Sequence, residues 1–270
     1  MHSFSEAQDA SQAADMARRF GGLERLYGVL GAARIRAAHV AVIGIGGVGS
    51  WTVEALARSG VGRLTLIDLD HVSESNINRQ IHALDSTVGQ AKVLAMRDRI
   101  FHINPTCVVD CIEDFVEPDN WLQLLPLGVD AVVDACDQVK AKTTMAAWAR
   151  QTRTSFISVG AAGGKRHAHK VDIDDLSLVT HDPLLAQLRY RLRKEYAAPR
   201  EGKKIGVACV FSREAVMPPD ASCAVAGDGS LNCHGYGSVV SVTATFGQCA
   251  AGWILDQLAT HIEKGPKTTL

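Results

Sequence analysis

The sequence predicts an α/β fold with a mainly parallel sheet, and two observations lead to that prediction. Short apolar runs such as His39–Ile43 alternate with longer runs in which apolar residues recur at helical spacing. Residues 44–50 (GIGGVGS) form a glycine-rich turn between the first of these strands and the helical run that follows it. Such alternation is typical of parallel strands joined by helices that cover both faces of a sheet.

The composition fits one large globular domain. Of the 270 residues, 47% are hydrophobic and 21% are charged, and the formal net charge is −1. This balance excludes a protein that is basic over its whole surface, although it allows a local basic patch. The seven cysteines include no C-x-x-C pair, so the paired ligands of a structural zinc site are absent from the sequence. An odd number of cysteines without a signal peptide predicts free thiols and a cytoplasmic location.

The first element, over residues 1–35, is predicted to be an N-terminal helical arm. Residues 1–17 are polar and alanine-rich, and the segment that follows has the spacing of an amphipathic helix that covers the sheet. It carries Arg19 and Arg25. Each is either a solvated charge or a group that reaches a phosphate across a dimer interface.

The next elements predict a phosphate-binding site. In the turn after His39–Ile43, four glycines allow close approach of the backbone to an anion: Gly44, Gly46, Gly47 and Gly49. The helix that follows contributes free N–H groups and a partial positive charge. The second strand, residues 63–69, ends around Asp68, which is well placed to accept hydrogen bonds from the hydroxyls of a ribose. Together these elements predict a nucleotide site.

Polar residues follow the next strands at the same edge of the predicted sheet. Residues 71–80 (HVSESNINRQ) are too polar for a core element and form a loop that contains Arg79 near its end. Lys92 lies near the start of a predicted helix over residues 89–104. Strands are predicted at residues 107–112, Ala131–Asp134 and Ser155–Val159, and Asp137 follows the second of these. The carboxyl edge of a parallel sheet is where doubly wound folds bind ligands.

The C-terminal part has a different pattern. Residues 171–176 and 206–211 are predicted strands, with a helix between them that starts at Asp182 and Pro183. Residues 189–204 carry seven basic side chains against two glutamates, so this segment is either a solvated face or a contact surface for a polyanion. Residues 235–255 contain no charged side chain but include four glycines. We expect a buried or subunit-interface helix there, with membrane association as the alternative.

The glycine motif and a following acid are most often found in NAD-dependent dehydrogenases, but the cations favour a nucleoside triphosphate. The diphosphate of a dinucleotide is normally neutralised by the helix terminus alone, whereas Arg79 and Lys92 bring two more positive charges. Asp137 could hold Mg²⁺ on the leaving pyrophosphate through its carboxylate oxygens. Each of the three residues could also have a purely structural role: Arg79 in a surface ion pair, Lys92 as a solvated helix residue and Asp137 as a helix N-cap.

The ordered motifs GxGGVGS, LIDLDxVxxSNxNRQ, GQAKV, INP and DACDQ resemble the adenylating superfamily of ThiF, MoeB and the ubiquitin-activating enzymes. The resemblance implies a Rossmann-like ThiF-type fold, a nucleotide-binding core over residues 36–165 and a substrate and dimer region over 166–270, within a single domain over 1–270. It implies that the four glycines cradle ATP and that Lys92 lies at the reacting centre. It places Asp137 on Mg²⁺ and Arg25 (or Arg19) on the ATP of a partner subunit. The other implied nucleotide ligands are Asp68, Asp70, Asn76, Arg79 and Gln80.

The motifs of the C-terminal half, GAAGGK, HDPLLAQLRYRLR, GVACVFSREAV and DGSLNC, resemble the bacterial tRNA threonylcarbamoyladenosine dehydratases. That resemblance implies a homodimer that uses ATP and Mg²⁺ to convert the modified adenosine beside the anticodon of tRNA into its cyclic form. Residues 189–204 are a hypothetical tRNA contact. Cys233 is a candidate for a transient thioester. A sulfur-transfer protein partner is left open. The main alternative function is activation of the C-terminus of a ubiquitin-like sulfur carrier; an NAD-linked oxidoreductase and a non-catalytic scaffold are weaker ones.

Overall fold

A computed structural model describes residues 15–200, 202–220, 222 and 236–260. Within these residues seven strands form one sheet in the order β3-β2-β1-β4-β5-β7-β6. The strands are β1 (His39–Ile43), β2 (Arg63–Ile67), β3 (Val108–Ile112), β4 (Ala131–Asp134), β5 (Ser155–Val159), β6 (Val171–Asp175) and β7 (Ala208–Ser212). All neighbouring strands are parallel except β6, which pairs antiparallel with β7. The predicted α/β fold with a mainly parallel sheet is confirmed.

Helices cover both faces of the sheet. They are α1 (Met16–Ala37), α2 (Gly49–Arg58), α3 (Lys92–Ile103), α4 (Trp121–Leu124), α5 (Val139–Thr152), α6 (Pro183–Glu195) and α7 (Val240–Thr260). Short 3₁₀ turns lie at Glu74–Asn76, Asp85–Thr87 and Ala168–Lys170. One apolar core lies between the sheet and α2, α3 and α7, and the other lies between the sheet and α5 and α6. Side chains of the central strands alternate between these two cores.

The strand order places a ligand crevice next to β1. The chain crosses from β1 to β2 and β3 on one side and to β4 and β5 on the other, so the direction of winding reverses between β1 and β4. At such a reversal, the loops after the two strands separate and leave a crevice at the carboxyl ends. The turn after β1 and the residues after β4 therefore face one another.

The uncharged C-terminal stretch forms a buried helix, α7, which is the alternative that the sequence analysis favoured. In α7, Val242, Phe246, Ala250 and Ile254 are fully buried at helical spacing. The α2 side chain of Thr52 donates a hydrogen bond of 3.2 Å to the carbonyl of Gly247, where a glycine lets the two helices approach closely. Across the described part of the chain, no helix combines the length and apolarity that a bilayer crossing requires.

Several boundaries differ from the predicted ones for local reasons. The N-terminal helix begins at Met16, where Asp15 caps it, and it is interrupted at Gly28, whose φ is 74°. Strand β7 starts at Ala208 rather than at residue 206. The carboxylate of Asp175 accepts hydrogen bonds from the backbone N–H groups of Ile205 and Gly206, which holds this corner out of the ladder. The proposed division of the chain at residues 35 and 165 stays a prediction, although one sheet joins strands from both sides of residue 165.

Candidate active site

A cavity of about 360 Å³ lies at the carboxyl ends of β1 and β4. Its floor is formed by Ile43 and Ile67 at the ends of β1 and β2, and its two long walls are the glycine turn and the loop after β4. It collects most of the residues that the sequence analysis singled out: Gly44, Gly46, Gly47, Asp68, Asp70, Arg79, Gln80, Lys92 and Asp137. The sequence motifs thus converge on one concave site.

The glycine turn leaves room where a phosphate is expected. Gly44 has a φ of +86°, and a Cβ there would lie 2.8 Å from the carbonyl oxygen of Ala135. A Cβ on Gly49 would collide with the carbonyl of Gly44, so these two glycines allow the turn itself to form. Gly46 is different, because a Cβ there meets nothing within 4 Å and the residue lines the cavity. The open space beside Gly46, at the start of α2, fits an anion held by backbone N–H groups.

Asp68 is buried at the base of the cavity. Its Oδ2 accepts a hydrogen bond of 2.6 Å from the backbone N–H of Ile45, and its Oδ1 accepts one of 2.8 Å from Asp70. Burial raises the pKa of the Asp68 carboxyl, although Lys92 and the two backbone N–H groups act in the opposite direction. This carboxylate therefore joins the glycine turn to the end of β2, and the residue lines the cavity.

The loop after β2 supplies Arg79 and Gln80. Nη1 of Arg79 donates to the carbonyl of Ser75 at 2.6 Å and to Oδ1 of Asn78 at 2.9 Å, while its aliphatic carbons pack over Gly47. Gln80 is buried, and its Oε1 has no hydrogen-bond partner among the described residues. A buried polar atom without a partner at the wall of a cavity fits a site that binds a polar ligand.

Asn76 has a supporting place in the same loop. Its Oδ1 accepts a hydrogen bond of 3.1 Å from the backbone N–H of Ser73, which closes the short 3₁₀ turn. The side chain is buried and lies behind the cavity wall rather than in it. The structure thus brings Arg79 and Gln80 to the cavity but not Asn76, whose predicted phosphate contact stays a prediction.

Lys92 begins α3 and points into the cavity. Its side chain is buried, and Nζ lies 2.6 Å from Oδ2 of Asp70, which is itself half exposed. The lysine is therefore held by a partner that water or a ligand can replace. A cation in this arrangement can move from a carboxylate to a phosphate without leaving the site.

Asp137 lines the same cavity as the two cations. It follows β4 by three residues, is exposed and lines the cavity. No three His, Cys, Asp or Glu side chains gather into a metal site in the described part of the chain. Mg²⁺ that is bound on nucleotide phosphates needs one or two protein carboxylates and takes its other ligands from phosphate and water, so Asp137 fits that role.

Two cations and four carboxylates line this cavity among the described residues. The cations are Arg79 and Lys92, and the carboxylates are Asp68, Asp70, Asp114 and Asp137. A triphosphate adds further negative charge, which this chain's own side chains do not balance. The donor set therefore fits a ligand that brings a divalent cation with it.

The residues that support the cavity from below were not predicted. Nζ of Lys142 is fully buried and lies 3.1 Å from Oδ2 of Asp134, at the end of β4, and it also donates to the carbonyl of Val159 at 2.7 Å. Burial lowers the pKa of this lysine, but the charge of Asp134 outweighs that effect and the net pKa is raised. The ion pair fixes the start of the loop that carries Asp137.

Two wall residues also escaped the sequence analysis. Phe115 follows β3 by three residues and forms an apolar wall together with Val116, a position that the rule on carboxyl ends of strands could have found. Thr243 comes from α7, distant in sequence, and its Oγ1 lies 3.3 Å from the carbonyl of Arg79. Nothing local in the sequence marks Thr243 as part of the site.

The candidate arginines of α1 and the candidate cysteine lie elsewhere. Arg25 is exposed and does not line the cavity of its own chain. Nη1 of Arg19 donates to the carbonyls of His102 and Ile103 at the end of α3, so this arginine is held by its own chain. Cys233 lies outside the described residues. Cys136 does line the cavity, but burial raises the pKa of its thiol well above the usual value, so it is not a ready nucleophile.

Comparison with known proteins agrees with this geometry. The chain matches the ThiF family over residues 21–270. It is 44% identical over 243 residues to the tRNA threonylcarbamoyladenosine dehydratase of Haemophilus influenzae, covering 89% of this chain and 93% of that protein. The crystal structure of the E. coli tRNA N6-threonylcarbamoyladenosine dehydratase TcdA in complex with ATP superposes with a TM-score of 0.82 at 42% identity, covering 90% of this chain and 94% of that one.

A carrier-activating enzyme is a more distant relative. The molybdopterin-synthase adenylyltransferase of Salmonella typhimurium is 38% identical over 47% of this chain and 51% of that protein. The similarity to the dehydratases, by contrast, continues through the C-terminal half, in agreement with the motifs there. From the match over residues 21–270 and these identities, we conclude that the chain belongs to the ThiF family, as its sequence motifs predicted.

Proposed function

We propose that this protein is an ATP-dependent dehydratase that adenylates the threonyl carboxylate of threonylcarbamoyladenosine in tRNA and promotes its closure to the cyclic form. The observation that carries the proposal is that the glycine turn, Arg79, Lys92 and Asp137 all line one cavity. Its support from relatives is the 44% identity to a tRNA threonylcarbamoyladenosine dehydratase over nearly the whole chain.

In the first step the threonyl carboxylate attacks the α-phosphorus of ATP, and pyrophosphate leaves. The backbone N–H groups beside Gly46 bind the phosphate chain, and Arg79 is placed beside the same turn. Lys92 passes from Asp70 to the phosphates and neutralises the charge that develops as the bond to the leaving group lengthens. Asp137 would hold Mg²⁺, which supplies charge neutralisation to the pyrophosphate.

In the second step the carbamoyl group of the same nucleoside attacks the activated carbonyl carbon. The ring closes and AMP leaves with the carboxylate oxygen that was joined to phosphorus, so the oxygen of the lost water ends on AMP. Because both reacting groups belong to one substrate, proximity supplies much of the acceleration and the chain needs no dedicated nucleophile. The raised pKa of Cys136 agrees with this route, and a thioester on Cys233 stays an untested alternative.

We also propose that the protein is a homodimer in which Arg25 reaches the nucleotide of the partner subunit. Arg25 lies next to Leu26, Val29 and Leu30 of α1, three large apolar side chains that are mostly exposed in a single chain. An apolar face of this kind supports burial against a second copy. An arginine delivered from that copy would also supply positive charge that the cavity lacks.

The remaining proposals concern the protein's location, its protein partner and the alternative function. A cytoplasmic location follows from the tRNA substrate, and a sulfur-transfer protein partner remains a prediction. The alternative function, activation of a ubiquitin-like sulfur carrier, rests on the same adenylating cavity and on relatives that match about half of the chain. The two functions use the same nucleotide chemistry and differ in the carboxylate that attacks.

Measuring pyrophosphate release with three different substrates separates these functions. The protein is incubated with ATP, Mg²⁺ and either tRNA that carries threonylcarbamoyladenosine, the same tRNA transcribed without modification, or a carrier protein that ends in Gly-Gly. We expect pyrophosphate release with the modified tRNA alone. Release with the carrier protein and none with modified tRNA would replace the proposal by the carrier-activating function.

A further inference from the structure

The C-terminal part of α6 and the residues after it carry an exposed mixture of aromatic and basic side chains. Tyr190 on α6 is 63% exposed, and Tyr196, directly after the helix, is 39% exposed. Among the described residues of this segment, the exposed basic side chains are Lys194, Arg200, Lys203 and Lys204. We refer to these six residues as the tyrosine–lysine surface.

The other three basic residues of the segment make contacts within their own chain, and the tRNA contact predicted for residues 189–204 as a whole stays a prediction. Nη1 of Arg189 donates to the carbonyls of Leu176 and Val179 at 3.0 and 2.8 Å. Nε of Arg193 donates to the carbonyl of Pro199 at 3.2 Å. The third, Arg191, lies 3.6 Å from Glu195 in an ion pair on the helix. The cations that remain to meet a partner are therefore those of the tyrosine–lysine surface.

Within this surface, aromatic and cationic groups are already adjacent. Nζ of Lys194 lies 5.7 Å from the ring centroid of Tyr190, in a cation–π contact. The exposed ring of Tyr190 offers a flat apolar surface, and Lys194 brings a cation next to it. This pairing matches unpaired nucleotides, whose bases stack on aromatic rings while their phosphates contact cations.

The tyrosine–lysine surface lies at a distance from the active-site cavity that a short stretch of nucleotides can span. Leu184, in the first turn of α6, lines that cavity, and Lys194 follows it by ten residues along the same helix. At 1.5 Å per residue the two are about 15 Å apart along the helix axis. A stacked strand at about 3.4 Å per nucleotide covers that distance in about four nucleotides.

We propose that the tyrosine–lysine surface binds the anticodon loop of the tRNA substrate, with Tyr190 and Tyr196 stacked on its unpaired bases and the cations on its phosphates. The inference rests on the proposed function, since the nucleoside that enters the cavity lies beside the anticodon. It places the loop along α6, from the reacting nucleoside at Leu184 to the neighbouring bases at Tyr190.

The test measures binding without turnover, using a fluorescent anticodon stem-loop RNA that carries threonylcarbamoyladenosine. We expect Tyr190→Ala to weaken binding about 5- to 100-fold, since loss of one stacked base has that effect, and Tyr190→Phe to bind like wild type. Combined Lys194→Gln, Lys203→Gln and Lys204→Gln changes should reduce the slope of log affinity against log salt by about 2. In turnover with full-length tRNA, the KM for tRNA rises and the KM for ATP does not.

A matched control changes the same number of charges elsewhere. The triple variant Arg58→Gln, Arg97→Gln and Lys170→Gln alters three exposed basic residues and should keep the wild-type salt slope. Two of these residues lie on α2 and α3, which cover the face of the sheet opposite to α6. Wild-type affinity and slope in both Tyr190→Ala and the lysine variant would overturn the inference. An inactive wild-type enzyme that still binds the RNA through Tyr190 would instead overturn the proposed function, so the two failures are distinguishable.

Discussion

Replacing Lys142 by methionine tests whether the buried ion pair holds the floor of the active site. Lys142 and Asp134 are both 0% exposed, and Nζ of Lys142 also donates to Ser158 and Val159. The substitution keeps the apolar length of the side chain and removes its charge. It leaves the Asp134 carboxylate buried without its cation, with Ser158 and the thiol of Cys136 as its remaining donors.

The expected cost follows from that loss. Removing one partner of a fully buried pair typically destabilises a protein by about 3–5 kcal/mol, because the remaining charge is neither solvated nor balanced. Asp134 ends β4 and leads into the loop of Asp137, so we also expect the KM for ATP to rise. Lys140, exposed on the same helix, provides the matched control, and Lys140→Met should change the stability by less than about 0.5 kcal/mol.

The assay is denaturant unfolding of the two single variants, of Asp134→Asn and of the Asp134→Asn/Lys142→Met double variant. Since the pair is a direct contact, the double variant should cost less than the sum of the two singles by about 1–3 kcal/mol. A Lys142→Met cost below about 1 kcal/mol, or strictly additive effects, would refute the reasoning that this pair supports the site.

Three further predictions concern the cavity and its neighbourhood. Gly46→Ala should leave the melting temperature of the free protein unchanged and abolish the increase that ATP causes, whereas Gly49→Ala should lower the melting temperature of the free protein. Thermal-shift assays in which both variants behave alike would contradict the different roles of the two glycines. Lys92→Ala should lower the rate of adenylation about 100- to 1000-fold with a small loss of stability, and a rate within threefold of wild type would exclude its role at the phosphates. His82 is 2% exposed, and burial chiefly lowers its pKa from 6.5 to about 4. Because the folded state resists protonation, the wild type should lose roughly 3 kcal/mol of stability as the pH falls from about 6.5 to about 4. His82→Asn should flatten that dependence and His102→Asn, on an exposed site, should not; parallel curves for wild type and His82→Asn would contradict it.

Much of the fold could be predicted because its signals are local. The apolar strands and the helices between them read directly from periodicity, and the buried helix α7 followed from an uncharged stretch too rich in glycine and hydroxyl groups to cross a bilayer. Strand ends do not follow from periodicity, because hydrogen bonds from outside the strand decide them. Before β7, the carboxylate of Asp175 accepts hydrogen bonds from the backbone N–H groups of Ile205 and Gly206, which are therefore not available to extend the strand.

The candidate site was predictable where the residues follow a strand or a glycine turn. Asp68, Lys92 and Asp137 meet at one cavity because the carboxyl ends of parallel strands share an edge. Thr243 reaches the same cavity from a helix that is distant in sequence, and no local pattern indicates such packing. Lys142 looked like any helix lysine, since only the three-dimensional packing shows that its charge is buried.

The most direct test of the proposed reaction follows the oxygen of the water that is lost. The tRNA substrate is prepared with heavy oxygen in the threonyl carboxylate and incubated with the protein, ATP and Mg²⁺, and its nucleosides and the AMP are analysed by mass spectrometry. The account predicts that the modified nucleoside loses one water and that AMP carries the heavy oxygen, with neither change in Lys92→Ala. An unchanged nucleoside, or a dehydrated one formed alongside unlabelled AMP, would contradict adenylation of the threonyl carboxylate.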